Sequence, residues 1–193
     1  MGLDMYLSAK RFFSGYEFVE QEKREMYNRI TEMVGVKGTT EAPSAEVSVN
    51  IGYWRKANAI HGWFVRELAG GRDECQSIYV PREKLEELRA LCVSTLADQP
   101  AVVMPAQGGT YVQNAEVNKP FAEGLMDILK TEAMKAQFND PNDTDPLRPV
   151  RGSFFGSDVK DEWYYQDLKD TVEIIDGALA LDKSWSFEYQ ASW

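Results

Sequence analysis

The two ends of the chain carry the same strand pattern, and this pattern limits the available folds more than any other feature. Apolar side chains occupy every second position in one short segment near each end. They are Leu3, Met5 and Leu7, and then Trp185, Phe187, Tyr189 and Ala191. A period of two is typical of a half-buried β-strand, which needs neighbouring strands to bond its backbone. We therefore expect the closing strand to lie beside the opening strand.

The interior of the chain alternates between strand and helix patterns. We predict an antiparallel sheet with strands near residues 3–10, 47–52, 76–80 and 185–191. Apolar residues recur at helical spacing in four or five other segments. These segments are 17–34, 53–69, the stretch after Pro81, 119–138, and a long stretch from Ser157 or Asp158 to about Leu181. The predicted class is α+β, with four or five helices packed on the sheet in one domain spanning 1–193.

Composition excludes several kinds of protein. No apolar run approaches the roughly 20 residues needed to cross a bilayer, and the N-terminus lacks the pattern of a signal peptide. The chain has two Cys and one His, without a CxxC motif. Zinc sites usually take three or four ligands from Cys, His and carboxylates, so we expect no metal and no cofactor.

The charge of the chain limits its partners. The net charge is -10 and the sequence pI is about 4.7. Such a protein does not neutralise phosphates, so we expect no direct contact with nucleic acid. The acidity favours a basic protein partner, including one that itself binds nucleic acid. It also fits a simpler interpretation, in which the charge only keeps the protein soluble.

The densest group of chemically capable residues lies in YWRKANAIHGWFV, residues 53–65. On a helix, Arg55, Asn58 and His61 would converge on one flank, beside Tyr53 and Trp54. This cluster predicts a pocket for a nucleotide or another small anion, with His61 as a general base if the pocket is hydrolytic. Two alternatives stay open. His61 can be a partly buried residue bonded to a carbonyl, with Trp54 and Trp63 in the core. Arg55 and Lys56 can pair with the acidic helix near the C-terminus.

That acidic helix supplies a second candidate site. Acidic side chains cover the faces of the helix that its apolar stripe leaves free. Asp161, Glu162 and Asp167 are its candidate contact residues. We expect an exposed acidic or aromatic patch around residues 161–170 that meets a basic surface on another protein.

Three blocks of sequence resemble a known group of proteins. They are MGLDMYL at the N-terminus, YWRKANAIHGWFV at residues 53–65, and SFFGSDVKDEWYYQDLKDT at 153–171 together with the YQASW end. These blocks resemble uncharacterised small proteins of tailed bacteriophages and prophages. The resemblance implies a phage origin and a location in the host bacterial cytoplasm. Residues 102–150 depart from the family pattern, which implies an insertion there.

Charge and resemblance together give a functional hypothesis. We expect a phage accessory protein that acts by binding, without catalysis, and that inhibits a host or antiviral-defence protein, for example one of CRISPR type. The alternative is a protein that binds a small anion or nucleotide, or hydrolyses it, around His61. The sequence does not indicate an oligomeric state.

Overall fold

The computed structural model describes residues 2–36, 41–101, 144–150 and 159–193. Four strands and four helices lie within these ranges. In chain order they are β1 (Asp4–Ser14), α1 (Gln21–Val34), β2 (Ser44–Arg55), α2 (Asn58–Ala69), β3 (Ile78–Val80), α3 (Arg82–Ala97), α4 (Glu162–Leu179) and β4 (Ser186–Ser192). The predicted helix at 119–138, and most of the segment at 102–150, lie outside the described residues.

The strands form one antiparallel sheet in the order β2-β1-β4-β3. The opening strand β1 lies at its centre and pairs with the closing strand β4, so that Met5 lies opposite Ala191 and Ala9 opposite Phe187. The predicted α+β class, the antiparallel sheet and the adjacency of the two chain ends are confirmed. All four predicted strands are present.

The helices cover one face of the sheet. Leu3, Met5, Leu7 and Ala9 are buried on this inner face of β1, together with the inward residues of β3 and β4. The helices α2, α3 and α4 add their apolar stripes to the same core. Their largest fully buried side chains are Trp63, Phe64, Ile60, Leu85, Leu88, Leu168 and Ile175. On the outer face, Tyr53 and Tyr79 are exposed.

The junction between β2 and α2 differs from the prediction. A helix beginning at Tyr53 is wrong, because β2 continues to Arg55 and α2 begins at Asn58. Lys56 has a φ of 63°, in the left-handed region that terminates a strand, and its N–H donates to the Leu3 carbonyl at 2.8 Å. The predicted end of α2 is confirmed, since Gly70 adopts the left-handed conformation that follows a helix.

The start of α4 also differs from the prediction. The predicted start at Ser157 or Asp158 is wrong, because the first residue of the helix is Glu162 and its cap is Asp161. The Asp161 carboxyl accepts a hydrogen bond from the backbone N–H of Tyr164 at 3.0 Å. This bond satisfies one of the free N–H groups of the first turn, and the negative charge suits the positive end of the helix dipole.

Helix α4 packs closely against Gly52 in β2. A Cβ atom at Gly52 would lie 2.4 Å from Cγ2 of Ile174 and 3.3 Å from Cβ of Leu7. Real Cβ contacts of 2.4 Å do not occur, so only glycine allows this packing distance. By contrast, a Cβ at Gly177 in the same helix meets nothing within 4 Å.

The two glycines form a matched pair of variants. We expect Gly52→Ala to lower the free energy of unfolding by about 1–3 kcal/mol, because helix and strand must separate to admit the methyl group. Gly177→Ala should raise it by about 0.5–1 kcal/mol, since alanine is the better helix former. Urea denaturation of the purified proteins measures both changes. Equal stability of Gly52→Ala and the wild type would contradict the close contact between α4 and β2.

Candidate functional site

His61 lies in the core with both ring nitrogens bonded. Its Nδ1 is 2.7 Å from the Tyr189 hydroxyl, and its Nε2 is 3.0 Å from Oδ2 of Asp73. The Trp193 indole N–H donates to the other oxygen of Asp73 at 3.3 Å. The side chains of His61 and Asp73 are only 3% and 7% exposed. Tyr189, His61, Asp73 and Trp193 are named the His61 network below.

The chemistry of the four groups orders the protons in this network. Burial raises the pKa of Tyr189 well above its ordinary value, helped by the nearby Asp73, so the hydroxyl keeps its proton. An Asp73 carboxylate can only accept, so the Nε2 nitrogen of His61 carries the proton between them. When the imidazole is neutral, its Nδ1 accepts the Tyr189 proton. In that state the donors run from Tyr189 through His61 to Asp73.

The His61 network holds elements of the core together by hydrogen bonds. The Tyr189 ring stacks on Phe64, with centroids 3.9 Å apart and planes 10° from parallel. This contact packs β4 against α2. A general base must reach a proton on its substrate, whereas both ring nitrogens of His61 are engaged inside the protein. The geometry agrees with a structural role for His61, but its ring nitrogens bond the Tyr189 hydroxyl and the Asp73 carboxylate and not the expected carbonyl.

The structure does not bring Arg55 together with His61. Tyr53 and Arg55 are exposed on either side of the buried Trp54, and the Tyr53 hydroxyl donates to the Asp4 carboxyl on the outer face of the sheet. His61 bonds Tyr189 on the inner face. The predicted convergence of Arg55 with the other two residues is wrong, because residues 53–55 belong to a strand, in which neighbouring side chains point to opposite faces. Asn58 and His61 both lie in α2, three residues apart.

Asn58 and Trp54 have separate positions. Asn58 is the half-buried first residue of α2. Trp54 is a core residue, as one alternative predicted, and its indole N–H donates to the Thr171 hydroxyl in α4 at 2.9 Å. Among the described residues, no ion pair joins Arg55 to the acidic residues of α4. The buried contact of Trp54 with Thr171 joins β2 to α4 instead.

The three predicted acidic contact residues have different environments. Asp161 is 7% exposed and serves as the helix cap, so it is not available to a partner. Glu162 is exposed, and Asp167 is half-buried. Burial raises the pKa of Asp167 to about 7, with smaller contributions from Asp170 and Asp161. Only Glu162 of the three is fully on the surface.

The sequence interpretation missed Trp163. This indole is 67% exposed although Tyr164 beside it is buried. Trp163, Gln166, Asp170 and Glu173 follow one another at spacings of three, four and three, and all are exposed. They define one solvent-facing surface of the helix, named the Trp163 face below. The signal was present, because Trp163 stands just outside the apolar stripe that begins at Tyr164.

Within the ranges 2–36, 41–101, 144–150 and 159–193, no group of three or more His, Cys, Asp or Glu side chains is placed to hold a metal ion. In the same ranges, no helix combines the length and the apolar character needed to cross a membrane.

Comparison with models of protein families, with curated protein sequences and with solved structures gives no match to this chain. The resemblance to phage and prophage proteins therefore stays a prediction.

Asp167 gives a prediction about pH. Its folded pKa of about 7 exceeds the ordinary value near 4, so the folded state holds the proton more tightly. The protonated Asp167 therefore stabilises the folded state fully below about pH 4, and this contribution is lost as the pH rises through about 7. We expect Asp167→Asn to raise the free energy of unfolding by on the order of 2 kcal/mol at about pH 8, and by much less at about pH 5.

The measurement is urea denaturation of both proteins at the two pH values. The control is Glu173→Gln, which removes an exposed carboxylate from the same helix. Its free energy of unfolding should change between the two pH values by as much as that of the wild type. If Asp167→Asn changes stability equally at both pH values, the raised pKa is contradicted.

Proposed function

We propose that this protein acts by binding another protein through the Trp163 face of helix α4. The observation that carries the proposal is the indole of Trp163, which is 67% exposed. An exposed indole leaves a large apolar area in water, and burying it contributes roughly 25 cal/mol for each Å² removed from water. Tryptophan is also enriched among the residues that dominate binding energy at protein interfaces.

The charge around Trp163 defines the chemistry of the partner. Helix α4 contains Glu162, Asp167, Asp170, Glu173 and Asp176 against the single base Lys169. Asp176 is already paired with Arg89. The exposed carboxylates of Asp170 and Glu173 belong to the same face of the helix as the indole, and Glu162 is the exposed residue before Trp163. A partner that complements this surface offers an apolar pocket rimmed by Lys or Arg.

The net charge of -10 supports the same kind of partner at longer range. An acidic protein attracts a basic one before contact and accelerates their association, and this effect weakens as salt is added. Proteins that bind nucleic acid carry such basic surfaces. With the resemblance to phage proteins, the proposal extends to inhibition of a host or antiviral-defence protein in the bacterial cytoplasm.

The test begins with identification of the partner by pull-down from bacterial host lysate, followed by affinity measurement on the purified pair. We expect Trp163→Ala to weaken binding at least tenfold, the loss typical of a central interface tryptophan. Tyr79→Ala is the matched control, because Tyr79 is 66% exposed but lies on the sheet. It should bind like the wild type.

A second pair of variants tests the charge. Asp170→Lys with Glu173→Lys should weaken binding and reduce its dependence on salt. Glu83→Lys with Glu86→Lys reverses the same number of charges, at the same spacing, on exposed positions of α3. Unchanged affinity of Trp163→Ala, or equal losses from the two double variants, would count against the Trp163 face as the binding surface.

A further inference from the structure

The strand β2 forms a long edge of the sheet. It contains 12 residues, Ser44–Arg55, and pairs on one side with β1 in the sheet order β2-β1-β4-β3. No described strand lies on its other side. Within the described residues, the backbone N–H and C=O groups that point away from β1 have no strand partner and can bond another strand. The opposite edge, β3, has only 3 residues.

Val49 on β2 is an apolar side chain that is partly exposed to solvent on the inner face of the sheet. Val49 pairs with Ala9, which is buried on the inner, helix-covered face. Val49 shares that face but is 46% exposed. The helices thus leave the inner face of β2 incompletely covered at this position. Ser48 and Asn50 beside it are also exposed.

The first part of β2 carries few of the features that protect an edge strand. Proteins commonly place Pro, Lys or a bulge on such edges. The stretch SAEVSVN, residues 44–50, has one charge, Glu46, and no Pro or Lys. Its pairing with β1 runs in continuous register, and the one irregularity falls after Asn50, between the pairs of Leu7 and Ser8.

We propose that β2 pairs with β2 of a second copy of this chain, antiparallel about a twofold axis at Ser48. Val47 then lies opposite Val49 of the second copy on the inner face, and each covers the other. Glu46 lies opposite Asn50 of the second copy on the outer face, so no like charges meet. The two sheets join into one continuous sheet of eight strands.

Two properties of the strand favour this register: the alternation of its side chains between the two faces and the charge of Glu46. Both partners of a cross-strand pair must lie on the same face, so the axis passes through a residue and not between two residues. An axis at Glu46 would place two carboxylates directly opposite each other, which is unfavourable. An axis at Val47 would set Val49 against the smaller Ala45. The axis at Ser48 alone matches valine with valine at both positions.

Oxidative cross-linking tests the pairing and its register. In a Cys75→Ser background, Ser48→Cys places two thiols opposite each other across the axis, within reach of a disulfide. Asn50→Cys is the control, because its two copies are displaced by four residues, about 13 Å along the strand. We expect a covalent dimer at least tenfold faster from Ser48→Cys than from Asn50→Cys.

Sedimentation of the full chain with native cysteines tests the association itself. The dimer fraction should rise with concentration, and Val49→Lys should weaken association at least tenfold while leaving the melting temperature of the monomer unchanged. A monomer at all concentrations, equal cross-linking of the two cysteine variants, or a dimer unaffected by Val49→Lys would each overturn the proposal. None of these residues belongs to the Trp163 face, so the two proposals fail independently.

Discussion

A buried carboxyl group fixes how the second helix lies on the sheet. The Asp73 side chain is 7% exposed, and its two oxygens bond the His61 ring and the Trp193 indole. Leaving such a group unpaired in the core would cost several kcal/mol. The loop after α2, the helix itself and the closing strand must therefore assemble together. The stacked ring of Tyr189 fills the space between them.

The polar groups around His61 bond one another inside the protein, so the candidate binding residues lie on the surface. The single histidine is part of the scaffold, and the nearby Arg55 lies on the outer face of the sheet. Two exposed apolar side chains among the described residues carry the proposals. Trp163 lies on an acidic helix, and Val49 lies on the edge strand β2. Both proposals concern association with another macromolecule.

Periodicity predicted much of the fold, because strands and helices with one buried face carry it directly in the sequence. The β1–β4 pair and the stripes of the helices followed from it. The end of β2 did not, since a left-handed Lys56 gives no signal in residue type and the helical spacing from Tyr53 was fortuitous. The partner of His61 was also hidden. Asp73 lies in a loop, and only the folded backbone brings it to the imidazole.

The proton position on His61 tests the structural role of the network most directly. The chain has one histidine, so its signals in a long-range proton–nitrogen NMR spectrum need no assignment. In alkaline buffer, we expect one tautomer with the proton on Nε2 and slow exchange of that proton with water, because Asp73 accepts it in the core. A proton on Nδ1, or rapid averaging of both tautomers, would contradict the network.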